Sequence, residues 1–343
     1  MCKNTVCKNA MSKFTTNIRI KRRLIIGLSV SILVMSMFMI FVTIIDNHTV
    51  SNNITVWNGF KPRNPDPEYC EIQPGNFNLI NGTVINTTNI TDNISYKYMR
   101  EKSNSISSLS FIVPSILPFF FFVFDVKNGC TMKLREESKY KTTIMARYPA
   151  FSILTSIISI LHVTGTFSNH ACACLMGLTL DNVFQWLMLG LPILFTIFVY
   201  TDNFTKPRDV RFYVTWSFIY ILYGVLVIVL AILNLKIIYQ SIITVSLVLI
   251  LIISNIIGIT SNKKVSGNKP LFWLALICTS IGLIFAFIDG PVCDKTKSIG
   301  APGTHFLWHI FGSLALTSLY VYQWTIKENI EYIKQLIELN QNK

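Results

Sequence analysis

His305-Phe306-Leu307-Trp308-His309 opens an apolar run that continues to Trp324, and its reading decides what kind of molecule this is. Two imidazoles at i and i+4 lie on one face of a helix about one turn apart, so their ring nitrogens can converge on a single metal ion. The same spacing admits a plainer reading, two histidines hydrogen-bonded at a helix interface. The chain has five histidines in all. Ionisable groups inside a membrane are costly enough to be read as functional, and this pair heads a run of spanning length.

The surrounding composition points to a membrane. Apolar residues make up 51% of the 343, charged residues 14%, and the mean hydropathy is +0.49, values that exclude an ordinary soluble domain. Runs of spanning length fall at 24–45, 106–124, 149–169, 179–200, 212–233, 237–259, 270–288 and 305–324, which predicts eight transmembrane helices. The first is too long for a signal-peptide core and has no small-residue cleavage site, so it reads as a signal anchor. The expected fold class is an all-α integral membrane protein in four parts. A basic N-terminus and anchor occupy 1–45, a loop 46–105, a seven-helix domain 106–324 and a tail 325–343.

Counting Lys and Arg in the connections orients the chain. With the N-terminus in the cytosol, the cytosolic segments carry 22 basic residues and the opposite side eight, as the positive-inside rule requires. The net charge of +13 is then a matter of topology, and no nucleic-acid or protein partner is implied. Lys21-Arg22-Arg23 is expected to meet anionic cytosolic lipid. Loop 46–105 carries Asn-x-Ser/Thr sequons at Asn47, Asn53, Asn81, Asn86, Asn89 and Asn93, all on the side where glycans are attached. Its stretch 78–97 reads as a disordered, glycan-solvated insertion. Both termini are expected in the cytosol, and the membrane is one of the secretory pathway: endoplasmic reticulum, Golgi or plasma membrane.

The predicted topology supplies partners for His305 and His309. His170 ends the third predicted helix at the same membrane level, and Asp181 follows eleven residues on, at the start of the fourth. His162 lies eight residues deeper on its helix, about 12 Å away, and His48 sits in a sequon. Three imidazoles and a water make an open zinc arrangement, and a nearby carboxylate can take the water's proton. A structural polar cluster is the other reading of the same residues.

These residues resemble the alkaline ceramidases, within a wider group of seven-helix membrane hydrolases that includes Per1-type and progestin/adiponectin-receptor-like proteins. The resemblance runs from about Glu68 to Trp324. Gly165-Thr166-Phe167-Ser168-Asn169-His170 is similar to the family's Gly-Ser-x-x-x-His, with Leu180-Asp181 falling where the family has Leu-Asp. His305 to His309 match His-x-x-Trp-His, and Phe287 to Cys293 resemble x-x-Asp-x-x-x-Cys. Upstream, Glu101 to Leu109 and Tyr69-Cys70-Glu71 resemble the start of the family's first helix and its Trp-Cys-Glu. Thr166 replaces the motif's Ser, Asn182 stands where the family usually has Glu, and the anchor helix lies outside the resemblance.

The resemblance implies Zn²⁺ on His170, His305 and His309, with Asp181 as general base and Thr166 bonding the water or the developing oxyanion. It implies Ca²⁺ on Glu68, the Tyr69 carbonyl, Glu71, Gln73 and Glu101, a mixed oxygen set of the type calcium takes. It also implies a disulfide between Cys70 and Cys293, both expected in an oxidising compartment. Cys172 and Cys174, beside His170, are open to packing, a separate disulfide or metal binding. The implied reaction is hydrolysis of a ceramide-like lipid to a sphingoid base and a fatty acid. A related lipid-remodelling esterase, or a receptor-like protein that keeps a metal without catalysis, would share these residues.

Overall fold

A chain inside hydrocarbon must satisfy its own backbone N–H and C=O groups, which an α-helix does within each segment. All eight apolar runs are accordingly helical in the computed structural model. It describes residues 23–45, 77–80, 83–86, 102–127, 143–172, 175–201, 210–233, 237–262, 264–298, 303–329 and 332, with the backbone alone for 77–80, 83–86, 127, 172, 175, 210–213, 237–238 and 290–298. Helix α1 is Arg23–Ile45. Two strands, β1 Phe77–Ile80 and β2 Thr83–Asn86, follow. Helix α2, Lys102–Ser108, passes through a 3₁₀ turn at Leu109–Phe111 into α3, Ile112–Lys127. Then come α4 Ile144–Arg147, α5 Ala150–Cys172, α6 Leu175–Tyr200, α7 Val210–Ile232 and α8 Ile237–Ser261. The chain closes with β3 Val265–Ser266, α9 Lys269–Ser298, α10 His305–Thr325 and β4 Lys327–Glu328.

Among the described residues, seven helices are long and apolar enough to cross a membrane, so this is an all-α, multi-pass membrane protein. The eighth predicted span, α10, is a 21-residue helix with a less apolar composition. It buries His305, His309, Ser313, Thr317, Ser318 and Gln323 inside the bundle.

Burial separates inner from outer helices. Of the most apolar stretch of α6, 67% is buried, against 11% in α1 and α7. The outer helices expose Phe38, Phe41, Ile221 and Leu222, as a lipid-facing surface would. Helix α1 docks at its first turns. A Cβ on Gly27 would come within 2.8 Å of the Leu117 side chain, and the Arg23 guanidinium lies 5.4 Å over the Phe124 ring, a cation–π distance.

Three boundaries depart from the sequence reading. Helix α6 starts at Leu175, not 179, which puts Gly177 inside it and Asp181 in its second turn. Helix α9 runs on to Ser298 instead of stopping near 288, so Asp289 is helical. The stretch 78–97, expected to be disordered, contains most of an antiparallel hairpin pairing Phe77 with Asn86 and Ile80 with Thr83. The sequence between its strands is Asn81-Gly82, the dipeptide that two-residue hairpin turns prefer because both positions need φ > 0.

A small knot of chain closes one end of the bundle. Ile144 N donates to Ile326 O at 2.8 Å, Val265 and Ser266 pair with Glu328 and Lys327, and Arg147 meets Glu328 at 2.7 Å with both side chains buried. Burial makes each charge depend on the other, because a lone buried ion is strongly destabilising.

Candidate metal centre and its cavity

Helices α5 and α6 are antiparallel and touch backbone to backbone at two glycines. A Cβ on Gly165 would lie 2.7 Å from Asp181 N, and one on Gly177 would lie 2.6 Å from Asn169 N. Glycine permits this approach because nothing projects from its Cα. The contact sets Asp181 opposite Thr166 and Asn169, and leaves His170 one turn further along α5. Gly165→Val is therefore expected to lower stability by about 1–3 kcal/mol through overpacking, read as a lower melting temperature of the purified protein. An unchanged melting temperature would mean that the helices do not meet this closely.

His170 on α5 and His305 and His309 on α10 converge. Each offers one ring nitrogen, and the three nitrogens lie within 4.8 Å of one another. Ring centroids are 5.3 Å apart for His170–His305, 4.9 Å for His170–His309 and 4.9 Å for His305–His309. His170 and His309 are almost wholly buried and His305 is 8% exposed. This group of three can hold a metal ion. A tetrahedral zinc with bonds of 2.0–2.1 Å would hold the nitrogens roughly 3.4 Å apart, so small ring rotations suffice.

The tautomer of His309 can be read from its neighbours. Nδ1 lies 3.1 Å from the Asn104 carbonyl oxygen and 2.9 Å from Ser107 Oγ. A carbonyl only accepts, so Nδ1 carries the hydrogen and Nε2 keeps the lone pair that a metal needs. Ser110 Oγ donates to His309 O at 3.1 Å and Ser313 Oγ to Ser110 O at 2.7 Å, stitching α10 to the 3₁₀ turn. His305 is positioned differently. The helix N-cap, Thr304, makes no side-chain cap bond of its own. Asp289 Oδ1 from α9 instead accepts from Thr304 N at 2.6 Å and His305 N at 2.9 Å, placing a carboxylate at the positive end of α10.

Asp181 is held from α5. Thr166 donates its hydroxyl hydrogen to Asp181 Oδ1, and Asn169 Nδ2 donates to Oδ2 at 3.0 Å. His162 Nδ1 lies 3.4 Å from Oδ1, and the ring packs edge-on to Phe111 at 4.8 Å. His162 is outside the three-histidine group, in keeping with the sequence reading. Its contact with Asp181 is not among the sequence expectations. The signal was present, because His162, Thr166 and His170 recur at i, i+4 and i+8 on one face of α5.

The three histidines, Asp181, Thr166 and His162 meet at one cavity of about 340 Å³. Its lining includes His162, Thr166, His170, Asp181, Asn182, Asp289, His305 and His309, and contains no Lys or Arg among the described residues. Gln185, Gln240, Ser241 and Thr244 form a neutral polar wall. A second, apolar cavity is lined by Met188, Leu189, Val248, Phe272, Leu316 and Leu319. It shares Phe111, His162, Gln185, Thr244 and Trp308 with the first.

The proposed calcium ligands Glu68, Tyr69, Glu71, Gln73 and Glu101 lie outside the described residues, as do Cys70, Cys174 and the sequon residues Asn47, Asn53, Asn81, Asn89 and Asn93. Cys293 falls within α9 and Asn86 ends β2, where only the backbone is described. Cys278 is buried and unbonded. No model of a known protein family matches the chain, and no curated protein matches it.

Proposed function

We propose that the chain is a zinc-dependent hydrolase of lipid amides, of the alkaline ceramidase type, releasing a sphingoid base and a fatty acid from ceramide-like substrates. The observation that carries this reading is three convergent imidazoles and a held carboxylate on one polar cavity that adjoins an apolar one. His170, His305 and His309 would hold the ion. Zinc would supply a lowered pKa for its water and polarisation of the scissile carbonyl.

The chain's own groups account for the proton. Asp181 takes a hydrogen from the attacking water as the water oxygen bonds to the carbonyl carbon, and delivers it to the leaving nitrogen as the C–N bond breaks. Thr166 has one hydroxyl hydrogen and spends it on Asp181, so its part is to aim the base rather than to bond the oxyanion. Asn169 fixes the other carboxylate oxygen. The apolar cavity suits a hydrocarbon chain, and the Gln185, Gln240 and Thr244 wall suits hydroxyl groups.

A lipid-remodelling esterase would use the same residues. The lining favours the amide reading, because among the described residues it offers Asp181 and Asp289 and no Lys or Arg to a phosphate-bearing glycerolipid. Ceramides, phytoceramides, phospholipids and simple acyl-amides presented side by side to the purified protein test this. Release from ceramides alone is the expected result, and release from phospholipids alone would make it an esterase.

The histidine end is proposed to face the lumen, because 22 of 30 basic residues then lie in the cytosol and the six sequons of loop 46–105 lie opposite. Endoglycosidase is expected to increase gel mobility, and protease added to intact microsomes to remove a C-terminal tag. A protected tag would put the histidines at the cytosolic face.

A further inference from the structure

At the end of the bundle away from the histidines, the C-terminal turns of α6, α8 and α10 meet the first turn of α9. Tyr322 is thirteen residues beyond His309 on α10, about 20 Å along the helix axis, so this region is separate from the metal centre. A cavity of about 400 Å³ opens there, lined by Tyr200, Asn262, Ser266, Lys269, Tyr322 and Asn329 among others. Two glycines shape it. A Cβ on Gly258 would fall 2.1 Å from the Tyr200 ring, and one on Gly267 would fall 2.9 Å from the Tyr322 ring. With no side chain at either position, both rings lie against bare backbone and bring their hydroxyls together at 2.8 Å.

That pair leaves a donor over. Two hydroxyl groups carry two hydrogens, and the bond between them uses one. The other belongs to whichever hydroxyl accepts, that of Tyr322 (1% exposed) or that of the partly buried Tyr200, and has no acceptor among the described residues. Unspent buried donors are costly and call for an acceptor. The remaining chemistry has the same sign. Among the described residues no carboxylate lines the cavity. Glu328, beside the lining residue Asn329, is turned inward onto Arg147 at 2.7 Å. Lys269 is exposed at the first residue of the 30-residue helix α9, where the peptide dipoles add positive potential. Lys264, just before β3, and Lys327, within β4, are both exposed on the strap beside it.

We propose that this cavity is a binding site for a phosphate-bearing group. A lipid headgroup at the membrane boundary or a free phosphate ion would present the same oxygens to Lys269 and the tyrosine pair. The assignment stands apart from the catalytic reading, and so does its test. The full-length protein, purified in mild detergent, is offered phosphatidic acid and phosphatidylcholine together, and retained lipid is weighed by native mass spectrometry.

Phosphatidic acid is expected to be retained about tenfold over phosphatidylcholine, the scale of one charge-assisted hydrogen bond. Lys269→Gln and Tyr322→Phe are each expected to remove most of that preference, with melting temperatures near that of the parent. Tyr322→Phe keeps the ring and its packing, so it isolates the hydroxyl. Inorganic phosphate that displaces the lipid at equal concentration would identify free phosphate as the ligand, and retention against it would identify the headgroup. Equal retention of both lipids, or a preference untouched in both variants, would overturn the site.

Discussion

Replacing His170, His305 or His309 by Ala, one at a time, is expected to strip the metal from the purified protein and abolish amide hydrolysis. The size of the effect follows from the ligand count. Three protein ligands are the usual number in a catalytic zinc site, where the fourth position is left for water, and two imidazoles do not replace three. The three rings come from two helices and are buried together, so no other described His, Cys, Asp or Glu joins them. Metal analysis beside a ceramide hydrolysis assay checks this, and His162→Ala is the control. Its ring stands outside the group, so bound metal should stay near the parent level. If His162→Ala loses the metal while His170→Ala keeps it, the cluster has been assigned to the wrong face of α5.

Asp181→Asn is expected to separate binding from turnover. The metal should remain, because Asp181 is not one of the three converging ligands, while the rate falls by about 10²-fold or more on loss of a general base. The amide is close in shape to the carboxylate and can still accept the Thr166 hydroxyl, so the helix contact at Gly165 should persist. A loss of activity in proportion to lost metal would instead make Asp181 a ligand. Thr166→Val should give a smaller loss than Asp181→Asn, since it removes only the hydrogen bond that aims the base.

Much of this arrangement can be read from the chain because membrane spans restrict what a sequence can do. Hydropathy alone locates the helices, and helix direction brings the end of α5 and the start of α10 to one level, which is how His170 is found beside His305 and His309. Contacts that depend on register across distant segments are not legible in this way. Asn104 and Ser107 fix the His309 tautomer from about 200 residues away. Asp289 caps α10 from within α9, which runs past Gly290 and Pro291, where local signals argue for a stop. The crossing of α5 and α6 is closer than their apolar pattern suggests, since it rests on Gly165 and Gly177 meeting backbone. His162 shares one face of α5 with Thr166 and His170, a spacing that points to Asp181 even though His162 lies deeper along the helix.

The most direct test of the central claim is a zinc titration of the metal-depleted, purified protein with ceramide present, following sphingoid base released against zinc bound per chain. The expected result is release that rises with zinc and saturates at one ion per chain. One zinc bound per chain with no sphingoid base at any ratio would contradict the account and leave a metal-holding membrane protein without this catalysis.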